Sequence, residues 1–169
     1  MTDRRSWQVA FLKQARADWE AYQRAHEPIW PACHRLHFLQ MATEKLGKAL
    51  LVAGETALEE ITHTHSAFVK FMRVVGNNRR LHVKLGMTKS QLRAQINQLL
   101  PMAYEIESLA PALAQGGPNS EYPWLDQLGH LHVPVEHSFS LTKLLQTPQG
   151  IKLLKYIESC ILEFERFFF

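Results

Sequence analysis

A chain of 169 residues, 46% of them hydrophobic, has enough apolar surface to close one domain, residues 1–169, whose core needs neither a metal nor a disulfide framework. Its formal charge of +3 comes from lysines and arginines scattered along the sequence, which leaves room for an anionic partner without demanding nucleic acid. No run of about 18 apolar residues is present to span a bilayer, and the opening residues lack the apolar stretch and cleavage site of a signal peptide, so a cytoplasmic chain with no membrane role is expected.

Behind Ser6, a residue type suited to a helix N-cap, Trp7, Ala10, Phe11, Ala15, Trp19 and Tyr22 recur at helical steps. They predict a first amphipathic helix that stops before Pro28 and Pro31. A second runs from about 32 to 53, with Gly54 placed to end it in a left-handed conformation. Leu36, Leu39, Ala42, Leu46, Ala49, Leu50 and Ala53 share its broad apolar face, while His37, Glu44 and Lys48 line up opposite. Gly47 offers a bare patch where another helix approaches closely, so this helix is expected at the centre. Glu44 and Lys48 stand four apart in the favourable order, worth only about 0.2–0.5 kcal/mol to an exposed helix. Their simplest reading is a charged strip facing water or a partner.

A short third helix near 66–75 carries Phe68, Phe71, Met72 and Val75 inward before GNNRRL breaks it. Around that break, Arg73, Arg79, Arg80 and Lys84 concentrate at a turn able to meet an anionic backbone, with Asn77 and Asn78 beside them and no aromatic interleaved to stack a base. Thr88 with Gln91 forms a capping-box pattern opening a fourth helix, in which Leu92, Ile96, Leu99, Leu100, Ala103, Ile106 and Leu109 keep the period and Pro101 kinks or divides it.

Residues from about 111 to 139 are rich in Gly, Pro and aromatic side chains and read as a long irregular loop. Its simplest role is to lay Tyr122, Trp124, Leu125 and Phe139 over the helices as a lid; a pocket beneath it would draw polar contacts from His130, His132 or His137. Thr147 followed by Pro148 starts the last helix, where Leu153, Leu154, Ile157, Ile161, Phe164 and Phe168 repeat. The closing phenylalanines are more apolar surface than a helix end shows to water, so they dock back onto the first helix or are covered in a two-fold dimer. Cys33 and Cys160 read as small core residues. Paired histidines (His34 with His37, His63 with His65, His130 with His132) lack the cysteine or carboxylate spacing of a zinc site, so no metal or other cofactor is expected. No segment alternates long enough to need a sheet, and the fold class is all-α: an antiparallel up-down bundle of about five helices.

SWQVAFLKQARADWEAYQRA, then CHRLHFLQMATEKLGKALLVAG, then HTHSAFVKFM is similar to the HEPN family, a nucleotide-binding domain of higher eukaryotes and prokaryotes. In that family a small-residue run is followed by Glu-Lys, two residues and Lys-Ala, matched by Ala42, Glu44-Lys45 and Lys48-Ala49, and a histidine opens the next helix, matched by His63 or His65. The resemblance covers Ser6 to about Met72, and more loosely Tyr122-Pro123 and the last helix. It implies a bundle that is commonly homodimeric, with Glu44 and Lys48 lining a groove or dimer seam for phosphate or a partner carboxylate. The setting it implies is prokaryotic defence or toxin-antitoxin systems.

Many HEPN proteins resemble metal-independent RNases, in which an arginine and a histidine with about four to six residues between them hold the phosphate and move the 2′-hydroxyl proton. That spacing is missing here: Arg73 and His82 have eight residues between them, Arg79 and His82 two, and no arginine stands at the required distance before His130, His132 or His137. Glu121 precedes Tyr122 where relatives often carry arginine, and a negative charge there repels phosphate. The resemblance then implies a binding module without catalysis, recognising a nucleotide, RNA or a protein partner, or serving as accessory to a nucleotidyltransferase. The alternative is an endoribonuclease in which a nonstandard pair, Arg79 or Arg80 with His82 or His137, works across a dimer. Ligand contacts are expected from Glu44, Lys48, Arg79, Arg80, Tyr122, His130, His132 and His137.

Overall fold

The computed structural model describes residues 3–25, 29–54 and 57–169; Pro28, expected beyond the first helix, lies outside them. The described residues form α1 (Arg4–Arg24), α2 (Ala32–Leu51), α3 (Leu58–His63), α4 (Phe68–Val75), α5 (Arg79–Lys84), α6 (Lys89–Glu107), α7 (Pro111–Ala114), α8 (Ser140–Leu144), α9 (Pro148–Leu162) and α10 (Phe164–Phe168). A hairpin, β1 (Trp124–Leu125) with β2 (Leu131–His132), and a 3-10 turn at Pro134–Glu136 lie between α7 and α8. Helix makes up 69% and strand 2%, which sets the class as all-α. About five helices are expected and ten are found among the described residues, because α3, α5, α7, α8 and α10 are pieces of four to six residues that connect or cap the longer ones.

The buried side chains of α1, α2, α4, α6 and α9 merge into one core. Three pairs, α1 with α2, α1 with α9 and α4 with α6, run antiparallel. Arg4 at the start of α1 reaches Val52 and Gly54 beyond the end of α2, Arg16 reaches Ile161 while Gln23 reaches Glu158, and Val69 meets Glu107 while Gly76 meets Ile96. At the centre lies α2, contacted by α1, α3, α4, α6 and the 3-10 turn. Gly47 is the reason it sits so close to α4: a Cβ there would fall 2.5 Å from the Ala67 carbonyl oxygen, inside any real contact.

Helix ends follow tertiary contacts as much as local sequence. The cap of α1 is Asp3, whose side chain accepts from the Ser6 amide, in place of the expected Ser6. At the end of α2 the conformation stays right-handed at Val52, and Gly54 does not take up the left-handed form. Arg4 donates to the Val52 and Gly54 carbonyls and Gln8 to that of Ala49, so α1 supplies the partners a glycine cap would have found. The Thr88–Gln91 capping box and the Thr147 cap before Pro148 form as expected. Pro101 sits inside α6 without dividing it.

The closing phenylalanines dock within the chain. Phe164 and Phe167 are buried, Phe168 packs 5.5 Å from Phe71, and the Arg5 guanidinium lies 4.2 Å over the Phe169 ring. Cys33 and Cys160 are free and buried, and burial pushes the Cys160 thiol up to about 12.

Candidate functional site

The Glu-Lys-x-x-Lys strip of α2 does not face water. Glu44 and Lys48 keep only 7% and 5% of their surface, because the α3–α4 connection folds over them. Lys48 Nζ donates to Glu44 Oε1 at 2.7 Å and to the Thr62 carbonyl at 3.0 Å. Glu44 Oε2 accepts from Gln40 Nε2 at 2.8 Å and pairs with His65 Nδ1 at 3.0 Å, so the histidine this geometry engages is His65 and not His63. Burial would raise the Glu44 carboxyl; hydrogen bonds from Lys48 and His65, with the Lys48 charge and the Gln40 amide, outweigh it and hold the group below the usual carboxylate range. Lys45 turns instead to α1 and forms an ion pair with Asp18 at 3.0 Å. Glu107 of α6, 6% exposed, accepts from the Val69 amide at the start of α4; burial pushes its carboxyl up, the Val69 and Phe68 amides oppose that, and the Glu44 charge adds to the rise. The expectation of a solvated strip is therefore corrected: each charge of the Glu44–Lys48 pair is satisfied from inside the fold, as a buried ion needs.

The second expected cluster divides along the hairpin. Trp124 and Phe139 are buried as a lid would have them, but Tyr122 and Leu125 are 60% and 59% exposed. Leu125 pairs with Leu131 and Trp124 with His132, and side chains alternate between faces, so only one face of the lid reaches the bundle. Asp126, missed in the sequence, organises the turn. Its Oδ1 accepts from the Leu128 and His130 amides, and its Oδ2 meets His132 Nε2 at 3.0 Å and His130 Nδ1 at 3.1 Å. The bond from His132, then the His130 amide, holds the Asp126 carboxyl down at about 2 against desolvation. Its sequence signal was an aspartate three residues before Gly129, which takes a positive φ of 84°. His132 stacks on Trp124 at 5.4 Å, and His137 stands edge-on to Trp124 and Phe139, where burial and then the His132 charge lower its pKa. A groove of about 530 Å³ beside the hairpin is lined by His132 and His137, but also by ionised Asp126, which repels phosphate. Glu121 faces His37, its Oε1 3.5 Å from Nδ1.

The third cluster separates. Asn78 caps α5, a helix where the sequence suggested a turn, and Asn78 and Arg80 donate to carbonyls of Phe167, Arg166 and Phe169. Arg80 is thus engaged on the end of α10, Arg79 is exposed, and His82 Nδ1 turns to the Met87 carbonyl at 3.0 Å. No hydrogen bond or ion pair joins Arg79 or Arg80 to His82 or His137 among the described residues, which leaves a nonstandard RNase pair unassembled within one chain. Arg73 moves to a different site. With Asn77, and with Arg93 and Asn97 of α6, it lines a cleft of about 260 Å³ floored by Gly76, Ile96 and Leu100. Arg73 also donates to the Tyr104 hydroxyl at 2.6 Å. Arg93 and Asn97 were missed in the sequence. The signal was an Arg-x-x-x-Asn spacing that occurs at Arg73–Asn77 and again at Arg93–Asn97. Among the described residues no group of three histidine, cysteine, aspartate or glutamate side chains is arranged to hold a metal ion, and no helix is long and apolar enough to cross a membrane.

No family model, curated protein or solved structure matches the chain. The functional reading accordingly rests on the geometry of these three clusters and on the motif of α2.

Proposed function

We propose that the chain is a HEPN-like module that works by binding rather than catalysis, and that it holds the phosphates of RNA in the cleft between α4 and α6. The observation that carries this reading is the composition of that cleft: two guanidiniums and two carboxamides converge, and no carboxylate lines it. Arginines without acid partners on a concave surface are the footprint of phosphate recognition. Supporting it from the other side, the Glu44–Lys48 strip is closed by internal partners, and the candidate histidines are held by Met87, Asp126, Trp124 and Phe139. A homodimer and a neighbouring nucleotidyltransferase belong to the same proposal, on the strength of the motif in α2, as does a place in prokaryotic defence.

The test is a mobility-shift titration with labelled tRNA in EDTA over a range of salt. Wild-type protein is expected to bind with a salt-sensitive affinity, and R73E/R93E to lose binding at moderate salt, with the log–log salt slope smaller by about 0.7 per phosphate released. Equal affinity in the double variant would remove the cleft from the account. Cleavage of the tRNA, lost on replacing Arg79, Arg80, His82 or His137, would replace the binding reading with the RNase one.

A further inference from the structure

Beside the α4–α6 cleft lies a second groove, of about 320 Å³, between the end of α6 and the segment that enters α8. Tyr104 and Ser108 line it from α6, and His137, Phe139 and Ser140 from that segment. Tyr104 joins the two places. Its ring is 46% exposed and forms part of the groove, while its hydroxyl accepts from Arg73 of the cleft at 2.6 Å. Arg93, Asn97, Leu100 and Tyr104 follow one another at helical steps, so they make a single row on α6 that leads from the cleft into the groove over about 16 Å. The stretch from Arg73 to Lys84 offers no Phe, Tyr or Trp to stack a base, and the fold supplies one from α6.

The two places differ in charge. Guanidiniums and carboxamides line the cleft, whereas Glu105 stands at the groove and disfavours phosphate there. What suits the groove is a flat, uncharged ring. Tyr104 presents an open aromatic face, burial keeps the His137 ring neutral at neutral pH, and Ser108, Ser140 and Glu105 can bond the edge of a base. At the lower end of ordinary ligand sites, roughly 300–1,000 Å³, the groove has room for one base and not for a length of strand. We propose that the RNA held by Arg73 and Arg93 is single-stranded, and that an unpaired base beside the held phosphate stacks on Tyr104 in this groove. The inference rests on the phosphate-binding reading of the cleft and adds the substrate class to it: in a duplex the bases are paired inside the stack and do not reach the tyrosine ring.

Oligouridylate carrying one 2-aminopurine, whose fluorescence falls when it stacks, is titrated with the full chain in EDTA. An oligouridylate–oligoadenylate duplex is the comparison, and affinities are read by mobility shift. Wild-type protein is expected to bind the single strand more tightly than the duplex and to quench the probe. Y104L should weaken single-strand binding at least about fivefold, abolish the quench and leave duplex affinity unchanged. Y104F, which keeps the ring and loses the bond to Arg73, should bind and quench like wild type. S108L, which keeps Tyr104 and fills the groove, should lose the quench; Tyr104 and Ser108 are both exposed, so neither position is needed for the core. A Y104L protein that quenches like wild type, a Y104F protein as impaired as Y104L, or equal wild-type affinity for strand and duplex would each overturn the stacked base and leave the phosphate cleft standing. R73E/R93E with wild-type affinity would sink the cleft itself, and wild-type protein that binds neither RNA would sink both.

Discussion

Glu44 and Lys48 show how much a single pair depends on what covers it. On an exposed helix their spacing is worth about 0.2–0.5 kcal/mol, whereas here both are buried and share one network with Gln40, His65 and the Thr62 carbonyl. Removing one partner leaves a carboxylate buried with too few donors, so K48M should cost about 3–5 kcal/mol. For a chain of this size that lowers Tm by on the order of 10 °C. E44L/K48M, which removes both charges, should recover most of the loss and stop short of full recovery because Gln40 and His65 lose their acceptor. Calorimetry of the two variants decides it; a K48M protein within about 1 kcal/mol of wild type would mean that the strip is open to water after all. The residues were legible in the sequence and their surroundings were not. A helical wheel assigns a polar side, but the connection that brings Thr62 and His65 over that side lies well beyond the window in which the helical period is read.

Among the helices, the closest contact lies between α2 and the start of α4. Gly47 in mid-helix would ordinarily gain up to about 1 kcal/mol on replacement by alanine. The Ala67 carbonyl, 2.5 Å from where the new Cβ would sit, reverses the sign, since backbone on both sides must separate. G47A is expected to destabilise by about 1–3 kcal/mol in urea unfolding, and a more stable protein would show that α2 and α4 stand farther apart. Gly47 could be read in the sequence as a place of close approach. So could the starts of α6 and α9, because a capping box and Thr-Pro act on their own neighbours. The end of α2 departs from its local reading for the converse reason: its partners there are Arg4 and Gln8, far away in the chain. The hairpin escaped notice because strands of two residues carry no readable alternation, and its register is held by Asp126.

For the molecule as a whole, class and centre were legible: the 3.6-residue period placed the core faces of α2, α4, α6 and α9, and the structure buries them. Charge was harder to interpret. Part of the basic character that hinted at an anionic partner is used at helix ends, where Arg4, Arg16 and Arg80 donate to carbonyls at or just beyond the ends of α2, α9 and α10. What matters is which of the other arginines converge, as Arg73 and Arg93 do, so the α4–α6 cleft stands out only once the fold is known. Cys33 and Cys160 sit in different helices of this architecture, one in the first turn of α2 and one late in α9, each 1% exposed. Thiolate is the reactive form, so at neutral pH a maleimide reaches either sulfur only when the surrounding helices part. The two sulfurs are therefore built-in clocks: mass spectrometry of labelled protein should find both modified at the rate of global opening, and prompt labelling of Cys160 would mean that α9 lies elsewhere. Should Cys33 run ahead, the chain comes apart first where α1 hands over to α2, and the order of disassembly can be read without adding a single probe.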